Sequence, residues 1–198
     1  MDPHIPTLSI TGIRRPGLIS LILREVALVL AATLFLALTA RIRVMLPFTP
    51  VPITGQTLGV LLVGALYGPR RGTLAVLAYL AEGALGLPVF AGGAGGALVF
   101  AGPTGGYLAG FVPAAALAGL MAGANKRAWR RVTGMVVASA SVYVFGVGWL
   151  VTLGTPLDRA VAVGMLPFLL GDVIKSGLAA GVMPAGAAIF DRFGIRPR

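Results

Sequence analysis

Three observations predict an all-α integral membrane protein, a single bundle of six transmembrane helices. Of the 198 residues, 57% are hydrophobic and only 11% charged, whereas a soluble domain averages about 25% charged; polar surface is too scarce to cover a globule in water. Uncharged runs of about 20 residues recur, the length that spans a hydrocarbon core. Basic residues abut these runs, so the net charge of +10 reads mostly as an orientation signal. The absence of cysteine excludes disulfides, thiolate metal sites, iron–sulfur clusters and cysteine nucleophiles. The only histidine, His4, precedes the first apolar run, which removes almost every imidazole mechanism.

Residues 1–17 are polar and end near Arg14-Arg15-Pro16, and they read as a cytoplasmic N-terminal segment. The apolar run that follows continues to Arg41, longer than the 7–15 residues of a signal-peptide core, and so forms a first transmembrane helix with Arg24 and Glu25 near its cytoplasmic end. Pro47, Pro50 and Pro52 forbid a helix over Val44 to Thr54, which becomes an extended loop, and Gln56 to Tyr67 becomes a short helix. A third helix is expected from about Gly72 to Leu87. The glycine-paired stretch Pro88 to Gly106 then reads either as a loop whose backbone approaches a ligand or as a flexible surface turn. Tyr107 to Ala124 forms a fourth helix, Val132 to Leu153 a fifth, and roughly Arg159 to Phe190 a sixth interrupted at Pro167 and Pro184. The bundle occupies about residues 18–190 and residues 191–198 form a cytoplasmic tail; with no repeat or polar linker, residues 1–198 are one domain.

With six spans, Arg14, Arg15, Arg70, Arg71, Lys126, Arg127, Arg130, Arg131, Arg192, Arg196 and Arg198 share one side and Arg41, Arg43 and Arg159 the other. The richer side is cytoplasmic. A five-span arrangement, in which Gln56 to Tyr67 only re-enters, has the same imbalance. The length of Val44 to Pro69, enough for a loop plus a short span, favours six.

Inside the apolar runs three ionisable side chains remain: Glu82, Asp172 and Lys175. Such residues cost about 2.5–3.5 kcal/mol at a helix centre and by default face the bundle interior. Asp172 and Lys175 are three apart and share a helix face. They form either a packing ion pair or a clamp for a small molecule with a donor at one end and an anion at the other, since a carboxylate accepts and an ammonium donates; the two roles can coexist. Glu82, beside Gly83, either reaches the interface or joins the pocket. Small residues four apart (Gly55 and Gly59, Gly64 and Gly68, Gly106 and Gly110, Gly119 and Gly123, Gly177 and Gly181, Ala27 and Ala31) allow close helix contact, mostly internal packing in a chain with 29 glycines.

Gly171 to Ser176 lacks the glycine spacing of a phosphate-binding loop, so this chain does not hydrolyse ATP. Lys175 and Ser176 are neighbours and point about 100° apart, which argues against a catalytic dyad. The basic clusters lack interleaved aromatics and lie against apolar runs, which argues against nucleic acid and for membrane lipid.

Four ordered motifs carry a resemblance: Pro50-Val51-Pro52-Ile53-Thr54-Gly55-Gln56-Thr57, then Gly83 to Gly93 (GALGLPVFAGG), then Gly102-Pro103-Thr104-Gly105-Gly106-Tyr107, then Pro167-Phe168-Leu169-Leu170-Gly171-Asp172-Val173-Ile174-Lys175. Together they cover about Pro47 to Ser176, and the chain resembles the BioY family, the biotin-specific S components of energy-coupling factor transporters. The resemblance implies a six-helix protein that captures biotin at the outer face of a bacterial cell membrane. Transport would be driven by a transmembrane coupling T subunit and two ABC-type ATPase subunits. The chain itself would be no enzyme and would need no cofactor.

By the same resemblance Asp172 and Lys175 match the family's binding residues, with Asp172 on the ureido ring and Lys175 on the carboxylate tail, an assignment that can be reversed or shared. Gln56 and Thr54 look like pocket-lining polar groups, and Tyr107 like a residue that stacks on or hydrogen-bonds the bicyclic ring. Relatives can carry a polar amide where this chain has Ala94, which leaves backbone N–H groups as substitutes. Ala27 and Ala31 match the motif expected to meet the coupling subunit. Arg41 and Arg43 either attract anionic biotin or anchor the helix end. Alternatives are an S component for another vitamin, a solitary proton-coupled biotin carrier, and an intramembrane enzyme using Glu82, Asp172 and Lys175 as acid–base groups.

Overall fold

The computed structural model describes residues 17–122, 126–193 and 195; the N-terminal segment, His4, Arg14, Arg15, Gly123 and the last residues of the tail lie outside them. Helix α1 is Leu18–Arg41, and two short strands, β1 (Arg43–Val44) and β2 (Ile53–Thr54), pair antiparallel with Arg43 opposite Thr54. Helix α2 is Gln56–Ala84, followed by a 3-10 turn (Ala91–Gly93) and a short α3 (Leu98–Ala101). Then come α4 (Gly105–Met121), α5 (Ala128–Thr152), α6 (Leu157–Gly164) and α7 (Leu166–Arg192).

α2 is two helices in series. Gly68 adopts φ 78°, ψ 171°, a conformation closed to residues with a Cβ, and Pro69 starts the second half, where its missing N–H costs nothing. The halves fold back on each other: a Cβ placed on Gly72 would lie 2.7 Å from the Cα of Gly64. The first half, residues 56–67, rises about 18 Å at 1.5 Å per residue, short for a hydrocarbon core of about 30 Å. Its turn is nonetheless sheltered, since Gly68 is buried and the 68–69 backbone packs against Gly119 of α4; irregular backbone at membrane depth is tolerated where protein covers it.

Two sets of contacts define the ends of the bundle. Arg71 Nη2 bonds Glu25 Oε1 at 2.5 Å, and Arg71 Nη1 donates to the Ile195 carbonyl at 3.2 Å. The start of α1, the middle of α2 and the chain beyond α7 therefore meet at one end. At the other, Arg41 Nη2 donates to the Pro88 carbonyl (2.9 Å), Trp149 Nε1 to the Gly102 carbonyl (2.9 Å) and Tyr107 Oη to the Gly164 carbonyl (2.7 Å). The chain thus passes from end to end six times, through α1, both halves of α2, α4, α5 and α7. The six-helix count holds, with residues 56–67 forming a short helix of their own before the break at Gly68. Among the described residues α1, α5 and α7 are each long and apolar enough to cross a membrane.

Two expectations are corrected. Residues 159–190 are not one interrupted helix: α6 ends at Gly164, Met165 leaves helical geometry (φ −131°, ψ −57°), and a separate α7 begins just before Pro167. Proline is tolerated in a first turn, and Pro184 lies inside α7 without ending it. The glycine-rich stretch is also not all loop, since it contains α3. The small-residue pairs divide as a matter of packing. Gly64 lies against Ala115, and Gly110 against Val142, where an added Cβ would press on α5 backbone. Gly177 and Gly181 meet nothing within 4 Å.

Candidate functional site

At the end marked by Arg41, the α4–α5–α7 side of the bundle and the loops before α2 and α4 enclose a cavity of about 240 Å³. Proline supplies one wall, because Pro50 and Pro52 hold the approach to β2 extended. The opposite wall comes from the stretch after α2. Gly92 has φ 73°, a left-handed turn that brings Phe90, Ala91 and Ala94 to the lining. Edge-to-face contacts from Tyr79 to Phe90 (5.4 Å between centroids) and from Phe90 to Phe100 (5.6 Å) brace that wall.

Asp172 lies on the lining and is only 6% exposed. Its Oδ1 accepts from Lys175 Nζ at 2.8 Å, while Oδ2 accepts from Tyr143 Oη at 2.5 Å and from Ser139 Oγ at 3.3 Å. The three-residue spacing on α7 brings the ammonium to the carboxylate, and α5 supplies both hydroxyls from positions one helical turn apart. A carboxylate has about four lone-pair sites, so three donors leave room for one more. Burial of the pair is tolerable because each charge has its counter-charge and hydrogen bonds.

Thr54, Gln56 and Tyr107 also line the cavity. Gln56 is held by a relay: its Nε2 donates to Tyr79 Oη (2.7 Å), which donates to the Val89 carbonyl (2.8 Å). The backbone N–H of Gln56 bonds the hydroxyl of Thr54 at 3.3 Å. Tyr107 gives its only hydroxyl proton to Gly164, so it presents a ring to the cavity and is not a free donor. Glu82 is the exception. It is half-buried and not among the lining residues, because Tyr79 and Gly83 occupy the inward face of α2 and Glu82 is turned about 100° from Gly83.

Arg43 belongs to the rim. Its side chain is exposed, reaches the cavity lining and lies over Gly92, with no acidic partner among the described residues. Arg41 instead ties the end of α1 to the Pro88 carbonyl. Sequence reasoning missed Ser139, Tyr143, Thr104 and Phe168. Ser139 and Tyr143 carry a usable signal, two hydroxyls four apart in an apolar run, but only the packing of α5 on α7 gives it meaning.

The BioY family model matches residues 10–192. A probable biotin transporter BioY of Pyrococcus horikoshii is 39% identical over 157 residues, covering 79% of this chain and 91% of that protein. The biotin transporter BioY of Rhizobium etli is 37% identical over 160 residues, covering 76% and 86%. A crystal structure of the S-component for biotin from an ECF-type ABC transporter is similar at TM-score 0.77 and 27% identity, covering 86% of this chain and 94% of that one. With the six-pass bundle, the four motifs around one cavity and a match over nearly its whole length, the chain belongs to the BioY family.

Proposed function

We propose that this protein is the biotin-capturing S component of an energy-coupling factor importer, working with a transmembrane T subunit and two ATPase subunits. The observation that carries the reading is the Asp172–Lys175 pair on the wall of a cavity otherwise lined largely by apolar and neutral side chains. The relatives' names support biotin as the ligand. In the cell membrane both termini face the cytoplasm, because the basic flanks concentrate at that end, and the cavity opens outward. Ala27 and Ala31 are exposed on α1, as a face that meets the T subunit requires.

The ion pair refines how the ligand is gripped. Two heads 2.8 Å apart meet the same end of a guest, not its opposite poles. The ureido ring offers both chemistries side by side: an N–H for Asp172 to accept and a carbonyl for Lys175 to donate to. Tyr143 and Ser139 occupy the far oxygen of Asp172 and turn the nearer one to the ligand. The valerate carboxylate then falls to Arg43 at the rim, the planar guanidinium being suited to a bidentate carboxylate contact. Tyr107 and Phe168 pack on the bicycle and thioether.

Equilibrium binding of biotin, biotin amide, thiamine and riboflavin to the purified chain tests this. Tight binding of biotin alone, or of biotin and its amide, supports the vitamin assignment; preference for thiamine or riboflavin overturns it. Lys175→Ala is expected to weaken biotin and its amide equally, whereas Arg43→Gln weakens only the acid. The reverse pattern moves the carboxylate back to Lys175.

A further inference from the structure

A second depression lies at the opposite end of the bundle, where α4 finishes and α5 begins. It has a volume of about 360 Å³ and two unlike halves. Lys126 and Arg130, with Trp129 between them, line one half; the other half, its floor, is the buried Gly134 with Leu120, Met121 and Thr133 beside it. The Arg130 guanidinium lies 5.2 Å from the centre of the Trp129 ring. Neither Lys126 nor Arg130 has an acidic partner among the described residues. The floor continues onto the outer surface of the apolar spans, with Leu120 62% exposed.

This layering, cations above an indole above aliphatic side chains, follows the order of a membrane interface: headgroup, aromatic belt, hydrocarbon. A free phosphate would satisfy the cations and leave the floor bare. An acidic protein segment would do the same. A lipid satisfies both halves. We infer that this groove binds one anionic phospholipid, its phosphate diester held by Lys126 and Arg130 and an acyl chain lying over Leu120 and Met121 beside Thr133. Arg130 supplies the directional contact and Lys126 a compact point charge.

The test is native mass spectrometry of the full chain released from bilayers of mixed phosphatidylglycerol and phosphatidylcholine, with thermal unfolding of each variant to show that it is folded. One phosphatidylglycerol is expected to stay on the wild-type chain in preference to phosphatidylcholine. Lys126→Gln with Arg130→Gln should cut that retention about tenfold, roughly 1.4 kcal/mol, whereas Arg70→Gln with Arg192→Gln, the same charge change at the same end, leaves it intact. Thr133→Trp keeps both cations but fills the floor, and should also lose the lipid. Inorganic phosphate at millimolar concentration should not displace it. Equal loss in both double variants would reduce the effect to diffuse surface charge, and displacement by inorganic phosphate would make this a simple anion site. Undiminished retention in Thr133→Trp would remove the acyl chain from the groove. Any of the three overturns the proposal.

Discussion

The two ends of the bundle are both cationic, yet they use their charge differently. At the end that carries Arg70, Arg71, Lys126, Arg127, Arg130, Arg131 and Arg192, basic side chains outnumber acids, and the ion pair of Arg71 with Glu25 leaves its side chains 31% and 42% exposed. At the other end the cations are few, and three of them make their own local contacts. Arg41 ties down the Pro88 carbonyl, Arg43 lies over Gly92 at the cavity rim, and Lys175 neutralises Asp172 inside. A charge in high dielectric acts through number and sign, whereas a charge out of water acts through its specific partner. Net charge therefore describes the first end outside the Lys126–Trp129–Arg130 groove, and single contacts describe the second.

The sharpest way to break this contrast is Asp172→Asn. It leaves Lys175 without its counter-charge in a buried site, and biotin affinity is expected to fall well over tenfold, on the order of a hundredfold, in an equilibrium titration. Lys175→Ala comes next, at more than tenfold by the same measurement. Unchanged dissociation constants in both would place recognition elsewhere. Gly92→Ala forces a left-handed conformation on a residue with a Cβ and presses it onto Arg43; about 1–2 kcal/mol of strain should weaken biotin roughly tenfold while the helical circular dichroism holds. Tyr143→Phe removes one of three donors to Asp172 and should cost about 1 kcal/mol, near fivefold in affinity. At the far end, Glu25→Gln breaks a half-exposed ion pair and is expected to lower stability by less than about 1 kcal/mol with biotin affinity within twofold of wild type. A large affinity loss there would erase the distinction between the ends.

Much of the fold is legible along the chain because its signals are local. Pro47, Pro50 and Pro52 exclude a helix wherever they stand, and Gly68-Pro69 breaks α2 between Tyr67 and Gly72, where the reading separates two helices. Asp172 and Lys175 share a helix face by spacing alone, so their direct pairing follows from α7 itself. Met165 was not legible. The backbone turns there, upstream of Pro167, because α6 packs as its own element, and its single-residue break carries no composition signal.

The same division separates what the one-dimensional pattern determined from what assembly decided. Hydropathy and proline position indicate a membrane bundle, with the length of Val44 to Pro69 favouring six passes, and mark three ionisable side chains within its apolar runs, because desolvation acts on each residue whatever its neighbours. Spatial convergence decided the rest. Packing of α5 on α7 assigns Tyr143 and Ser139 to Asp172, the turn of α2 leaves Glu82 beside the cavity rather than in it, and the pairing of β1 with β2 carries Arg43 to the rim. Each of these depends on contacts between separate elements, 9 to 33 positions apart where strands pair or α5 meets α7, and such contacts exist only after the elements have docked.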